Sequence, residues 1–239
     1  MQNKYLVIMP TYNELPNLEK SVSNLFEFNP KINLLIVDDN SPDGTGALAE
    51  KLAGSNKQVS VLHREQKQGL GPAYLAGFEY GFASGYTHLI EMDADGSHRA
   101  EDLPALLAES DRADLVIGSR WTKGGSVVNW PLSRKLISRI GNMYTRIMLN
   151  TKVKDMTAGF RVYSVELLEQ LPLAKIASHG YSFQVEMSWQ SLRAGAKIVE
   201  VPIVFVEREH GYSKMTSNIV FEALLLVTKW GLTRMFGRG

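Results

Sequence analysis

The chain has 239 residues, with 26 Lys and Arg against 25 Asp and Glu, a formal charge of +1, and 44% hydrophobic residues. These values exclude wholesale disorder and carry no sign of a nucleic-acid binder, so no nucleic acid is expected as a partner. With no cysteine in the chain, disulfides, thiol catalysis and cysteine-ligated metals are excluded.

The predicted elements follow from short apolar runs that alternate with helical spacing. Tyr5–Met9 reads as a buried strand, and Leu15, Leu18, Val22, Leu25 and Phe26 then recur at helix intervals. Strands are predicted at Asn33–Val37, Val59–Leu62, His88–Met92 and Leu115–Ile117, with helices around Gly46–Leu52, Pro72–Phe82 and Glu101–Leu107 between them. Leu136–Leu149 has an apolar face beside Arg139 and Arg146, and Val201–Val206 reads as one further strand. The tail, Thr216–Phe236, is apolar with a narrow polar stripe that includes Glu222 and Lys229, which argues against spanning. No apolar stretch approaches the roughly 18–20 residues of a spanning helix, and the N-terminus runs straight into a strand, so neither an integral membrane protein nor a cleavable signal is expected. Strand–helix alternation predicts an α/β fold with a parallel sheet covered on both faces, one catalytic unit at 1–215 and an apolar or amphipathic tail helix at 216–239.

Open sheets of this kind bind ligands at the carboxyl ends of their strands. Pro10-Thr11-Tyr12-Asn13-Glu14 follows the first strand, Asp38-Asp39-Asn40-Ser41-Pro42-Asp43-Gly44-Thr45 the second, Asp93-Ala94-Asp95 the fourth and Gly118-Ser119-Arg120 the fifth. Acids and a cation therefore converge on one sheet edge. Asp93 and Asp95, without a histidine or cysteine cage, suit a hard cation such as Mg²⁺ or Mn²⁺ whose shell is completed by substrate phosphates; alone, an Asp-x-Asp is as well explained by a solvated turn. Asp43 or Thr45 can cap the next helix, which leaves Asp38 and Asp39 to accept from a base or ribose hydroxyl. The segment Ser119–Arg139 interleaves Trp121 and Trp130 with Arg120, Lys123, Arg134, Lys135 and Arg139, a pattern suited to a lipid phosphate or to a buried Trp pair under surface cations. Arg208 and Lys214 sit on a glycine-containing loop able to close over a diphosphate, or simply to be solvated.

Taken together these motifs resemble family-2 glycosyltransferases, and within them the polyprenol-phosphate (dolichol-phosphate) mannose synthases, most nearly the soluble actinobacterial type. The resemblance runs through Pro-Thr-Tyr-Asn-Glu at 10–14, Val-Asp-Asp-Asn-Ser-Pro-Asp-Gly-Thr at 37–45, Met-Asp-Ala-Asp at 92–95, Gly-Ser-Arg at 118–120, Asp-x-Thr-x-Gly-Phe-Arg at 155–161 and Ser-Lys at 213–214. It implies a GT-A (Rossmann-like) fold and inverting transfer of mannose from GDP-mannose to a polyprenyl phosphate. It also implies that Pro10, Tyr12, Glu14, Val37 and Asp39 hold the nucleoside, and that Asp93, Ala94 and Asp95 face the diphosphate and the Mg²⁺ or Mn²⁺ ion. By the same resemblance Arg208 and Lys214 would clamp the donor diphosphate, and Arg120 and Arg134 would receive the acceptor phosphate. Asp95, Arg120 and Arg134 would carry the chemistry, with no obligatory base because the acceptor is already anionic.

Ser97 stands where the family often has Gln and is expected as a third metal ligand, and Ser182 where some members carry Lys. A cytoplasmic protein peripheral on the inner face of the membrane follows, docked by its tail and the 120–139 region, with an integral membrane protein as a further candidate partner. The same fold acting on UDP-glucose, a nucleotidyltransferase that makes nucleotide sugars, and a membrane-docked binding subunit stand as alternatives.

Overall fold

The computed structural model describes residues 3–176, 178, 180–208 and 217–237. In chain order the first half comprises β1 (Tyr5–Thr11), α1 (Leu15–Phe28), β2 (Asn33–Asp38), α2 (Thr45–Ser55), β3 (Val59–His63), α3 (Leu70–Ala83), β4 (His88–Glu91), α4 (Leu103–Leu107) and β5 (Leu115–Ser119). The second half comprises β6 (Ser126–Val128), α5 (Leu132–Leu149), β7 (Arg161–Ser164), α6 (Val165–Gln170), α7 (Tyr181–Arg193), β8 (Ile198–Pro202), β9 (Val204–Val206) and α8 (Ser217–Met235).

Seven strands form one sheet in the order β3-β2-β1-β4-β7-β5-β8, in which only β7 runs antiparallel. Because side chains alternate along a strand, neighbouring residues enter different layers. Leu6, Ile8, Leu35, Leu89, Leu115 and Ile117 pack with Tyr74, Phe78, Leu168 and Phe183, from α3, α6 and α7. Val7, Met9, Leu34, Ile36, Ile90 and Val116 pack with Leu18, Val22 and Leu25 of α1 and Leu103 and Leu106 of α4. Each such side chain contributes about 1.5–3 kcal/mol by leaving water, and the two layers together hold the sheet edge rigid. Gly77 and Gly81 let α3 lie against the sheet: a Cβ at Gly77 would come within 2.4 Å of Ile8, and one at Gly81 within 2.4 Å of Leu89. That close approach aims the start of α3 at the strand ends.

Two sequence expectations need correction. The run at 201–206 is two strands, because the chain leaves β8 after Pro202 and pairs in parallel with β6 as a small second sheet. Proline at 202 supplies no N–H to continue the ladder. The helix expected from Leu136 begins at Leu132, directly after Pro131. β7, α6 and α7 went unpredicted: β7 is four residues long and its first, Arg161, looks polar yet is fully buried. α8 packs on the rest of the fold, with Tyr144 and Thr228 hydroxyls 2.6 Å apart and Gly231 against Met148. No helix among the described residues is long and apolar enough to cross a membrane.

Candidate active site

The carboxyl ends of β1, β2, β4 and β5 open into a cavity of about 360 Å³. At one end stand Pro10, Thr11, Tyr12 and Glu14 after β1, and Asp39 after β2. Pro10 fits inside a paired strand because β4 stops pairing with β1 at Ile8, so a proline N without hydrogen sits past the last rung. The adjacent acids Asp38 and Asp39 divide their work. Asp38 accepts from the hydroxyls of Thr11, at 3.1 Å, and Ser41, at 2.6 Å, and so pins the loop to the sheet. Asp43 accepts from the N–H groups of Thr45 and Leu15, tying down the starts of α2 and α1. Asp39 instead lines the cavity and takes Arg64 Nη1 at 2.6 Å. Burial pushes its carboxyl up, with Arg64 acting against that. Lys67 lies over the Tyr12 ring, 4.0 Å from its centroid, in the loop that leads through Gly69 into α3. Val37 is buried in the core rather than on the cavity wall.

The middle of the cavity carries Asp93, Ala94 and Asp95. Tyr74, from α3, donates its hydroxyl to Asp93 at 3.2 Å, and Ser21, from α1, donates to the Ala94 carbonyl at 2.7 Å. Asp95 accepts the Ser97 N–H at 3.0 Å and pairs with Arg208 at 3.2 Å. His98 Nδ1 accepts the Asp93 N–H at 3.0 Å, while its ring stacks on Phe160, so its orientation is fixed. Burial pushes Asp93 up and His98 down from their ordinary values. Beneath them Glu91 is fully buried and is pushed up to about 7, chiefly by burial, with Arg161 across the strand pair holding it back. No group of three or more His, Cys, Asp or Glu side chains placed to hold a metal occurs among the described residues. The pair of carboxylates, with the buried and unpartnered Ser97 hydroxyl nearby, nevertheless fits a hard divalent cation that draws its remaining ligands from a diphosphate.

At the other end Arg120 is 4% exposed and fixed by Asp155, which is wholly buried. Arg120 Nε and Nη2 donate to Asp155 at 2.8 and 2.6 Å, and Nη2 also reaches the Thr157 hydroxyl at 2.8 Å. Its guanidinium lies over Trp130 and Phe205, each 5.5 Å to the centroid. Arg134 covers the Trp130 ring at 3.9 Å and donates to Glu207. Arg120 lines the cavity, whereas Arg134 and Ser97 stand outside its wall. Lys214 lies outside the described residues.

Asp155, Thr157, Gly159, Gln184, Phe205 and Lys67 complete the site and were not singled out as site residues from spacing. From the residues alone Asp155 reads as an acid in a turn, and within the resemblance it belongs to the Asp-x-Thr-x-Gly-Phe-Arg motif without an assigned role; Gln184 lies in a helix the spacing does not predict. The model of the family described as "Glycosyl transferase family 2" matches residues 6–172.

The chain belongs to glycosyl transferase family 2. An undecaprenyl-phosphate mannosyltransferase of Micrococcus luteus is 52% identical over 229 residues, which are 96% of this chain and 94% of that one. A polyprenol monophosphomannose synthase of Mycolicibacterium smegmatis is 49% identical over 95% of this chain and 86% of its own. Among solved structures, glucosyl-3-phosphoglycerate synthase from Mycobacterium tuberculosis with Mn²⁺ and UDP-glucose has a TM-score of 0.68 at 19% identity, covering 97% of this chain and 79% of that one. The Pyrobaculum calidifontis mannosyltransferase PcManGT, with GDP-Man and Mn²⁺, has a TM-score of 0.60 at 16% identity, covering 100% and 76%. These likenesses show the GT-A fold in this family-2 member, with its mixed, mostly parallel sheet and its C-terminal helix.

Proposed function

We propose that this family-2 glycosyltransferase moves mannose from GDP-mannose to a polyprenyl monophosphate, with inversion, releasing GDP. The observation that carries the proposal is one cavity in which the strand-end acids Asp93 and Asp95 stand opposite the buried, aromatic-flanked Arg120. The names of the two relatives near 50% identity support both the sugar and the acceptor.

In this reading Pro10, Tyr12, Glu14 and Asp39 hold the nucleoside, with Val37 shaping the strand beneath. Ala94 and Arg208 face the diphosphate, and Lys214 is proposed with them. Asp93 and Asp95, with Ser97 alongside, would hold Mg²⁺ or Mn²⁺, which neutralises charge on the departing diphosphate. Arg120 and Arg134 orient the incoming phosphate, whose oxygen forms the bond to the anomeric carbon as the bond to the diphosphate breaks. The acceptor oxygen already carries charge, so the protein's part is alignment and electrostatics rather than proton removal. The test is label from GDP-mannose appearing in the organic phase with a short polyprenyl phosphate and Mg²⁺ or Mn²⁺. Label from UDP-glucose alone would change the donor, and no label from any nucleotide sugar would overturn the reading.

The acceptor's bilayer is reached, in this proposal, by a peripheral face on the cytoplasmic side. The tail from 216 is a docking element on the catalytic unit of 1–215. α5 is the stronger part of that face: Leu132, Leu136, Ile140, Met143 and Ile147 recur along one side and are each 51–82% exposed. The helix starts at the Trp130 and Arg134 cluster, and Lys135, Arg139 and Arg146 supply positive charge to a face suited to anionic lipid. Leu136→Asp with Ile140→Asp is expected to weaken flotation with anionic vesicles by about tenfold or more, since two exposed apolar side chains that would enter the lipid become two acids. Turnover with a water-soluble short-chain acceptor stays near wild type. Unchanged flotation would remove α5 from the docking face.

A further inference from the structure

The two arginines proposed for the acceptor phosphate are held in opposite ways. Arg120 is anchored by Asp155, which is wholly buried and accepts from the Arg120 backbone N–H, Nε and Nη2. Arg134 is held by Glu207, whose side chain is 27% exposed and accepts, among the described residues, from Arg134 Nη1 alone. Separating the first pair would strand a buried charge, whereas the second can part with water meeting each partner. Both guanidinium groups sit against one ring: Arg134 lies 3.9 Å and Arg120 5.5 Å from the Trp130 centroid. Yet Arg120 lines the cavity, while Arg134 and Glu207 stand outside its wall.

Glu207 is tied to that place by its backbone. Its N–H donates to the Val128 carbonyl, and the Val206 N–H donates to the Ser97 carbonyl, each at 3.2 Å. The end of β9 is thus stitched to β6 on one side and to the Asp93–Asp95 loop on the other. Phe205 and Arg208, on either side of this point, both line the cavity. A carboxylate and a phosphate bind the same guanidinium fork, and a carboxylate fixed beside that fork acts at high effective concentration. A free phosphate ion brings only its charge to the contest. An acceptor joined to an apolar chain also brings burial along the exposed side of α5, whose first turn carries both Leu132 and Arg134.

We propose that Glu207 is an intramolecular competitor for Arg134, which keeps soluble phosphates off that arginine and yields it to a phosphate carried on a lipid. A competitor of this kind weakens every phosphate by the same factor, the inverse of the fraction of time that Arg134 is free. A small phosphate, weakly held to begin with, is pushed out of range. The lipid-borne acceptor has affinity in reserve and stays. The inference rests on the acceptor reading of Arg134 above and adds a residue that sets how tightly any phosphate binds there.

The test uses the full-length protein and two readouts. One is binding of inorganic phosphate without donor or metal, followed by tryptophan emission because Arg134 lies on Trp130. The other is the KM for a short polyprenyl phosphate with GDP-mannose and Mg²⁺. Glu207→Gln keeps the side chain's length and an oxygen for Arg134, and removes the charge. It is expected to bind inorganic phosphate about five- to tenfold more tightly than wild type and to lower the acceptor KM by a similar factor. Its Tm is expected to stay within about 2 °C, since the side chain is partly exposed. Adding Arg134→Gln is expected to abolish the gain in phosphate binding. Unchanged phosphate affinity in Glu207→Gln would overturn the competition. Weaker phosphate binding with a raised acceptor KM would also overturn it, by making Glu207 a support that aligns Arg134. A gain that survives Arg134→Gln would place the effect elsewhere and overturn it too. A wild type that transfers no sugar fails the acceptor reading itself, and with it the role given to Glu207, whatever the phosphate titration shows.

Discussion

Asp95→Asn is expected to lower mannosyl transfer by about 10³-fold, with the loss persisting at every Mn²⁺ or Mg²⁺ concentration tested. Asparagine has the shape of aspartate and keeps an oxygen for the Ser97 N–H, so the turn after β4 survives. What disappears is the charge. Asp95 is 7% exposed, and it is the carboxylate that carries Arg208. Neutralising it removes one of the two acids proposed to hold the cation and at the same time unpairs a cation proposed to face the diphosphate. Both changes act where charge develops as the diphosphate leaves, so kcat suffers more than nucleotide binding. The check is labelled mannose extracted into the organic phase across a metal titration, alongside Tm. A variant within tenfold of wild type would remove Asp95 from the chemistry and leave Asp93 as the sole acid of that loop to be tested.

The second large effect lies behind the site. Asp155→Asn is expected to cost about 3 kcal/mol of stability, near the lower end of what breaking a buried ion pair costs, and so to lower Tm by roughly 6–12 °C for a chain of this size. Asp155 is wholly buried and accepts the Arg120 backbone N–H, its Nε and its Nη2. An amide in that place can accept one or two of these bonds but presents an N–H₂ toward the guanidinium. Arg120 then keeps its charge and loses its alignment over the cavity. Transfer is expected to fall about 10²-fold, read mainly as a raised KM for the polyprenyl phosphate, while GDP binds as before. Asp155 thus acts as a positioning residue for Arg120. A variant with lowered Tm but unaltered acceptor KM would make the pair purely structural.

Much of this site is legible in the amino-acid sequence because its chemistry is local. Apolar runs of strand length followed at once by Pro10-Thr11-Tyr12, Asp38-Asp39, Asp93-Ala94-Asp95 and Gly118-Ser119-Arg120 announce parallel strands that deliver polar residues to one edge. The period of each run settles helix or strand, and the strand-end position settles which residues meet. The acids of the β4 loop and Arg120 do line one cavity.

Residue type and spacing stop short wherever the answer depends on which neighbour arrives from a distant part of the chain. Asp38 and Asp39 are identical in type and adjacent, yet Thr11 and Ser41 claim the first while Arg64 meets the second at the cavity. Arg161 looks like a surface residue until β7 slots between β4 and β5 and buries it among the carbonyls of Ala158 and Met156. The helix over α5 is plain from its periodicity, but an apolar stripe says only that one side differs from the other. Contacts with α8 take Tyr144 and Met148 and leave Leu132, Leu136 and Ile147 outward. Gln184 gains meaning only when α7 docks on α3 and sets its buried amide near the Glu91 carboxyl. Local order is written in short-range sterics and periodicity, so the amino-acid pattern carries it directly. The partner of each buried polar group is chosen by long-range packing, where a few ångströms decide whether a charge is a scaffold, a ligand or a surface ornament.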